Sequence, residues 1–199
     1  TEIFPWNRSL TGSGVEKTLR WIETKISNFK KIEFKTGKEI FDWVVPEEWN
    51  ISEAWLEDPD GQRIIDFKTN NLHVVNYSSP VDTTISLDEL QHHLYSLPEM
   101  PDAVPYVTSY YQRNWGFCLP HSQREKLING IYRAVIKSSL KPGVMNIGEI
   151  FIRGQTDKEV LISTYICHPS MANNEVSGIV VLTKLVQWLQ STSKLKYSY

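Results

Sequence analysis

Residues 159–189, EVLISTYICHPSMANNEVSGIVVLTKLVQWL, constrain the fold more than any other part of this chain. Residues 160–166 are apolar or β-branched on both alternating faces, a pattern that suits a strand covered on both sides in an α/β sheet. Residues 179–189 are nearly as apolar and read as a helix packed on that sheet. His168 closes the strand, and a polar turn, A-N-N-E-V-S-G at 172–178, leads into the helix. Open α/β sheets bind ligands at the carboxyl ends of their strands, so the chemistry is expected at this junction.

The remaining sequence bounds what kind of chemistry that is. With 199 residues and 41% hydrophobic content, the chain can bury the core of one domain or of two small ones. Its 21 basic and 23 acidic residues are interspersed, so it has no electrostatic footprint for nucleic acid or an anionic membrane. No apolar run is as long as a membrane span, and the start, TEIFPWNRSL, lacks the basic-then-apolar order of an export signal. The expectation is a cytoplasmic protein. Two cysteines, Cys118 and Cys167, make neither a disulfide framework nor a zinc-knuckle spacing and are expected to be reduced, buried thiols. Strand alternation would turn Cys167 away from the side that His168 faces.

Ser13 and Glu16 have capping-box spacing, and Val15, Leu19, Ile22 and Ile26 follow at helical intervals, so a helix is predicted over 14–28. Lys30 and Lys31 are read as its solvated end. From 32 to about 110 the pattern is short strands at 40–45, 51–57, 63–67 and 72–77, with Asp58-Pro59-Asp60-Gly61 as a hairpin turn. Ser86, with Glu89 three residues on, caps one short helix in this region. Strands at 131–137 and 146–153 precede the segment with His168. The organisation predicted is an α/β domain from residues 1–30 and 116–199, with a nested, mainly β domain at 31–115.

The order VLISTYICHPSMANNEVSGIVVLTKLV resembles the first metal half-site of zinc-dependent exopeptidases with co-catalytic metals, the aminopeptidase type. In that family a strand ends in a histidine ligand, and an A-N-D-D-x-S-G turn supplies a bridging carboxylate. His168 matches the histidine, and Asn174 stands where the bridging aspartate would be. FPWNRSLTGSGV, FDWVVPEEWNI, NLHVVNYSSPV, LPHSQ and STYICHPSMANN are similar to a bacterial aminopeptidase-like family often encoded near polysaccharide-biosynthesis genes, with a β domain inserted in the exopeptidase fold. The resemblance implies a zinc-exopeptidase-like sheet-and-helix core, of the phosphorylase/hydrolase-like kind and incomplete in this chain, which looks like the N-terminal portion of a longer protein. The general base is then expected beyond Tyr199.

Two departures from the family pattern carry physical weight. Ser170 stands where exopeptidases place an aspartate that orients the imidazole or metal, and a hydroxyl adds no charge. Asn174 offers only a neutral amide oxygen, which binds zinc weakly. Either one ion is held, or Glu175 supplies the carboxylate, or hydrolysis has been lost. The resemblance thus implies His168, Asn174 and Glu175 as metal residues for one or two zinc ions. Arg8, His121 and Ser170 are the substrate-binding candidates. Arg8 precedes the first helix, where a guanidinium suits a substrate carboxylate or phosphate; His121 follows the β region and could line the same cleft. The expected function is hydrolysis of an amide or peptide bond in a small peptide or amino-acid amide by zinc-activated water. The alternative is a lapsed exopeptidase fold serving as a binding or assembly module in surface-polysaccharide biosynthesis. A homo-oligomer is compatible with either.

Overall fold

The computed structural model describes residues 2–199. In chain order its elements are α1 (Ser13–Glu23), β1 (Lys30–Lys35), β2 (Glu39–Ile40), β3 (Trp43–Val44), β4 (Glu48–Glu57), β5 (Arg63–Asp66) and β6 (Val81–Ser86). There follow α2 (Leu87–Leu90), β7 (Leu94–Tyr95), β8 (Phe117–Cys118), α3 (His121–Arg124), β9 (Ile131–Lys141), β10 (Val144–Glu149) and α4 (Ser177–Ser191). They divide into two units, Thr1–Glu48 with Pro142–Tyr199, and Trp49–Lys141. The first unit runs past the expected boundary at 30 to Glu48, because β1 pairs antiparallel with β10, Ile32 opposite Ile147, and the second unit keeps the chain to Lys141, past the expected boundary at 116.

In the first unit α1 buries Val15, Thr18 and Leu19. The capping box expected at Ser13 and Glu16 does not form: Gly12 is the N-cap, with a φ of 91°, and Ser13 is already helical. Glu16 instead pairs with Arg20 one turn on. The helix ends at Glu23, short of the expected residue 28, although Ile26 remains buried beyond it. Lys30 and Lys31 are the first residues of β1 rather than a helix end. β2 and β3 form a tight hairpin with a fully exposed Phe41 at its tip.

The segment with His168 departs most from expectation. Residues 195–199 run back beside 152–160: Ile152 N–H donates to Tyr199 O at 2.8 Å, Tyr199 N–H returns the bond at 2.9 Å, and Val160 N–H donates to Ser198 O at 2.9 Å. Past Val160 the backbone belongs to no helix or strand and has no ladder partner among the described residues, and Leu161 is 93% exposed. The apolar run therefore has the composition of a buried strand without the two covering layers that composition anticipates. Together with α1, β10 and α4 it lines an open, mostly apolar concavity of about 530 Å³. α4 forms as predicted and buries Ile179, Thr183, Val186 and Leu189.

The second unit is built on a four-stranded sheet in the order β5-β4-β9-β6. Its core joins Leu56, Ile65, Phe117, Leu119, Tyr132 and Ile136. The predicted hairpin forms: Asp58 Oδ1 accepts from the backbone N–H of Asp60 at 3.0 Å and of Gln62 at 2.8 Å, closing the turn between β4 and β5. The capping box at Ser86 and Glu89 is also present, starting α2. Two readings fail here. The strand expected at 72–77 contains a 3₁₀ turn, Asn71–His73, followed by isolated bridges, and β6 was not anticipated although Val81, Thr83 and Ile85 alternate along it.

Candidate functional site

His168 sits where the segment after Val160 turns toward α4. Pro169 follows it, and Ser170 takes a left-handed φ of 40° that reverses the chain. Residues Ala172–Val176 then make a π-type turn, in which Val176 N–H donates to Met171 O at 3.0 Å, before α4 begins at Ser177. Such wide turns leave side chains at angles a regular helix does not offer, and they are frequent at functional sites. This one carries Glu175 inward. Gly178 allows the first turn of α4 to lie against the same segment, since a Cβ there would collide with Thr164 Oγ1.

Glu175 Oε2 lies 3.1 Å from His168 Nδ1, and Cys167 Sγ lies 3.1 Å from the same nitrogen. One ligand-capable atom from each of Cys167, His168 and Glu175 falls within 4.8 Å of the others. Arg8 closes the cluster from below. Its Nε donates to His168 O at 2.9 Å, Nη1 donates to Ile3 O at 2.6 Å, and Nε stands 3.9 Å from Glu175 Oε1. The side chains of Arg8 and Glu175 are wholly buried, whereas that of His168 is 22% exposed. The imidazole is thus the accessible face of an otherwise interior group.

Burial dominates the electrostatics. It pushes the Glu175 carboxyl up to about 7, against the lowering influence of its hydrogen bonds and of Arg8. It raises the Cys167 thiol to about 11, with Glu175 adding to the rise. It also lowers His168, with Arg8 acting in the same direction, so the imidazole is favoured in its neutral, metal-binding form. Glu175 Oε1 is buried with no hydrogen-bond partner among the described residues. Cys167, His168 and Glu175 thus bring a sulfur, a neutral imidazole and a carboxyl group close enough together to hold a metal ion.

The other sequence candidates take different roles. Asn174 is exposed, and its Oδ1 accepts from Tyr165 Oη at 3.3 Å. Ser170 Oγ donates to Phe4 O at 3.2 Å rather than to the imidazole. Arg8, expected as a substrate clamp, spends its guanidinium on the protein interior. His121 belongs to the second unit, where Nδ1 is 2.9 Å from Ser96 Oγ and Nε2 is 3.8 Å from Glu125 Oε1. Cys167 was expected to face away from the side of His168. That rule holds within a ladder, and this stretch has none.

Residues 48–139 match the model of a family described as a domain of unknown function, DUF2172. Over 198 residues the chain is 46% identical to a protein of Clostridium acetobutylicum named "Putative polysaccharide biosynthesis protein with aminopeptidase-like domain". The match takes in all of this chain and 45% of that protein, so the chain spans less than half the length of its curated relative. A crystal structure from the same organism, described as a "putative peptidase", superposes with a TM-score of 0.94 at 46% identity, covering 100% of this chain and 46% of that one. The mixed α/β architecture is therefore that of part of a solved, peptidase-named structure.

Proposed function

We propose that this chain carries the first part of a zinc-dependent, aminopeptidase-like hydrolase site that cleaves an amide or peptide bond in a small substrate. The observation supporting this most directly is the contact of His168 with a fully buried Glu175, 3.1 Å apart, at the turn into α4. A bound zinc would polarise a carbonyl and lower the pKa of its water to roughly 7. His168 would be its ligand from this chain. Arg8 holds the histidine's backbone, and burial favours the neutral ring, the form that binds metal. The remaining ligands and the general base are assigned to sequence outside this span, which the longer Clostridium relative has room to carry. Zinc content by elemental analysis of the full-length protein, wild type against His168→Ala, tests the reading. Zinc bound by the wild type and lost in the variant is expected; zinc in neither sinks it.

A second reading has its own support. Asn174 and Ser170, the two positions where a hydrolase would keep carboxylates, turn to Tyr165 and Phe4 instead of the histidine. A fold that has lost hydrolysis and serves as a binding or assembly module in polysaccharide biosynthesis would tolerate that. A zinc-loaded protein inactive on a broad panel of amino-acid amides, short peptides and N-acyl amino sugars would favour it.

A further inference from the structure

The missing orienting carboxylate at Ser170 has a physical replacement. A metal-bound histidine needs its other ring nitrogen fixed by an acceptor, which sets the tautomer and the ring plane. Ser170 hydrogen-bonds to Phe4 O, and the groups facing Nδ1 of the ring are Glu175 and Cys167 instead. Glu175 meets the requirement: Oε2 faces Nδ1 of His168 at 3.1 Å, from a side chain with no exposed surface.

We propose that Glu175 is a positioning residue rather than a metal ligand, and that Arg8 and Glu175 form a buried pair that presents His168 Nε2 to the metal. The inference rests on the reading of this junction as a zinc site. Its geometry distinguishes the two ends of the ring. Nδ1 faces Glu175 and Cys167, each at 3.1 Å, which leaves Nε2 as the ring nitrogen for a metal. With Oε2 facing the imidazole, the carboxyl group has only the wholly buried Oε1 left to offer a cation. Arg8 adds a permanent positive charge 3.9 Å from Glu175 Oε1, which disfavours a dication bound directly at that carboxylate. Arg8 also fixes the histidine from its main chain by donating to His168 O, so one buried pair holds both the backbone and the ring.

The decisive measurement is a long-range ¹H–¹⁵N spectrum of the zinc-loaded, full-length protein labelled in histidine nitrogen, with the His168 signals identified by their loss in His168→Ala. A protonated Nδ1 and a metallated Nε2 are expected. Metallation at Nδ1 would overturn the assignment while leaving the metal reading intact, and absence of zinc binding would remove both. Zinc affinity by chelator competition gives an independent check. Glu175→Ala should lose about 10- to 100-fold, as outer partners of metal ligands do, whereas Glu175→Gln, which keeps an acceptor oxygen, should lose less. Loss of measurable zinc in Glu175→Gln, equal to that in His168→Ala, would mean that Glu175 is a ligand after all.

Discussion

The guanidinium Nε of Arg8 donates to the main-chain carbonyl of His168 at 2.9 Å, joining two parts of the chain 160 positions apart. This bond ties the segment ahead of α1 to the turn ahead of α4.

The pH dependence of the zinc-free protein should carry the signature of Glu175. Its folded-state value of about 7 lies above the ordinary 4.5, so between those values the native state holds a proton that the unfolded state has lost. Stability should then fall as pH rises from 4.5 to 7 and level off above. The full drop is at most about 3 kcal/mol. His168, lowered in the fold, contributes an opposite slope present in both wild type and Glu175→Gln. Urea titrations across this range should show the falling component only in the wild type; matching slopes in the two proteins would contradict the assignment.

Thiol chemistry should separate the two cysteines from ordinary surface thiols. Burial raises Cys118 to about 12 and Cys167 to about 11, from an ordinary 9.0. At neutral pH Cys167 should alkylate at least about a hundredfold more slowly than in the denatured chain, with Cys118 slower still. Cobalt in place of zinc would distinguish a thiolate ligand from a bystander. With the metal at Nε2 and Cys167 against Nδ1, no sulfur-to-cobalt charge-transfer band is expected; a band that disappears in Cys167→Ser would overturn that placement.

Gly14 should tolerate no side chain. A Cβ at this position would run into the backbone carbonyl of Asn7, and backbone cannot swing aside as a flexible side chain can. Gly14→Ala is expected to cost on the order of 2 kcal/mol in chemical denaturation, in spite of alanine's better helix propensity. A neutral or stabilising result would mean that the loop carrying Arg8 is looser than its packing implies.

Acid should act on the second unit through Glu53. Hydrogen bonds from Lys68 and Lys137 hold its carboxyl at about 2, below the ordinary 4.5. The stabilisation is complete above 4.5 and fades as pH falls toward 2. Because the group is exposed, its size should shrink with added salt. Glu53→Gln should flatten this part of the acid profile, monitored by circular dichroism.

Legibility in the sequence followed the range of the physics involved. The Asp58 hairpin and the Ser86–Glu89 cap are settled by neighbours within four residues, and both were read directly. The same spacing at Ser13–Glu16 misled, because Gly12, with its left-handed backbone, takes the cap position first. The helix α4 was visible from its apolar content, but the state of 160–166 was not, since composition records the burial a segment is suited to and not the layers that surround it. Within the candidate site, His168 and Glu175 were named from motif and turn. The interior role of Arg8 had no local signal, as its partners are Ile3, His168 and Glu175. Cys167 was misplaced by applying strand alternation to a backbone without a ladder.

β4, which begins at Glu48, and β9, which ends at Lys141, are neighbours in one sheet, tied by Ser52 Oγ donating to Lys137 O at 3.2 Å. The chain therefore leaves at one strand and returns on the strand beside it, roughly 5 Å away. For the remainder of the polypeptide, the whole stretch between them has the closure entropy of a short connector once its own sheet is made. Forming that sheet first would bring Glu48 and Pro142 together before β1 and β10 have to find each other.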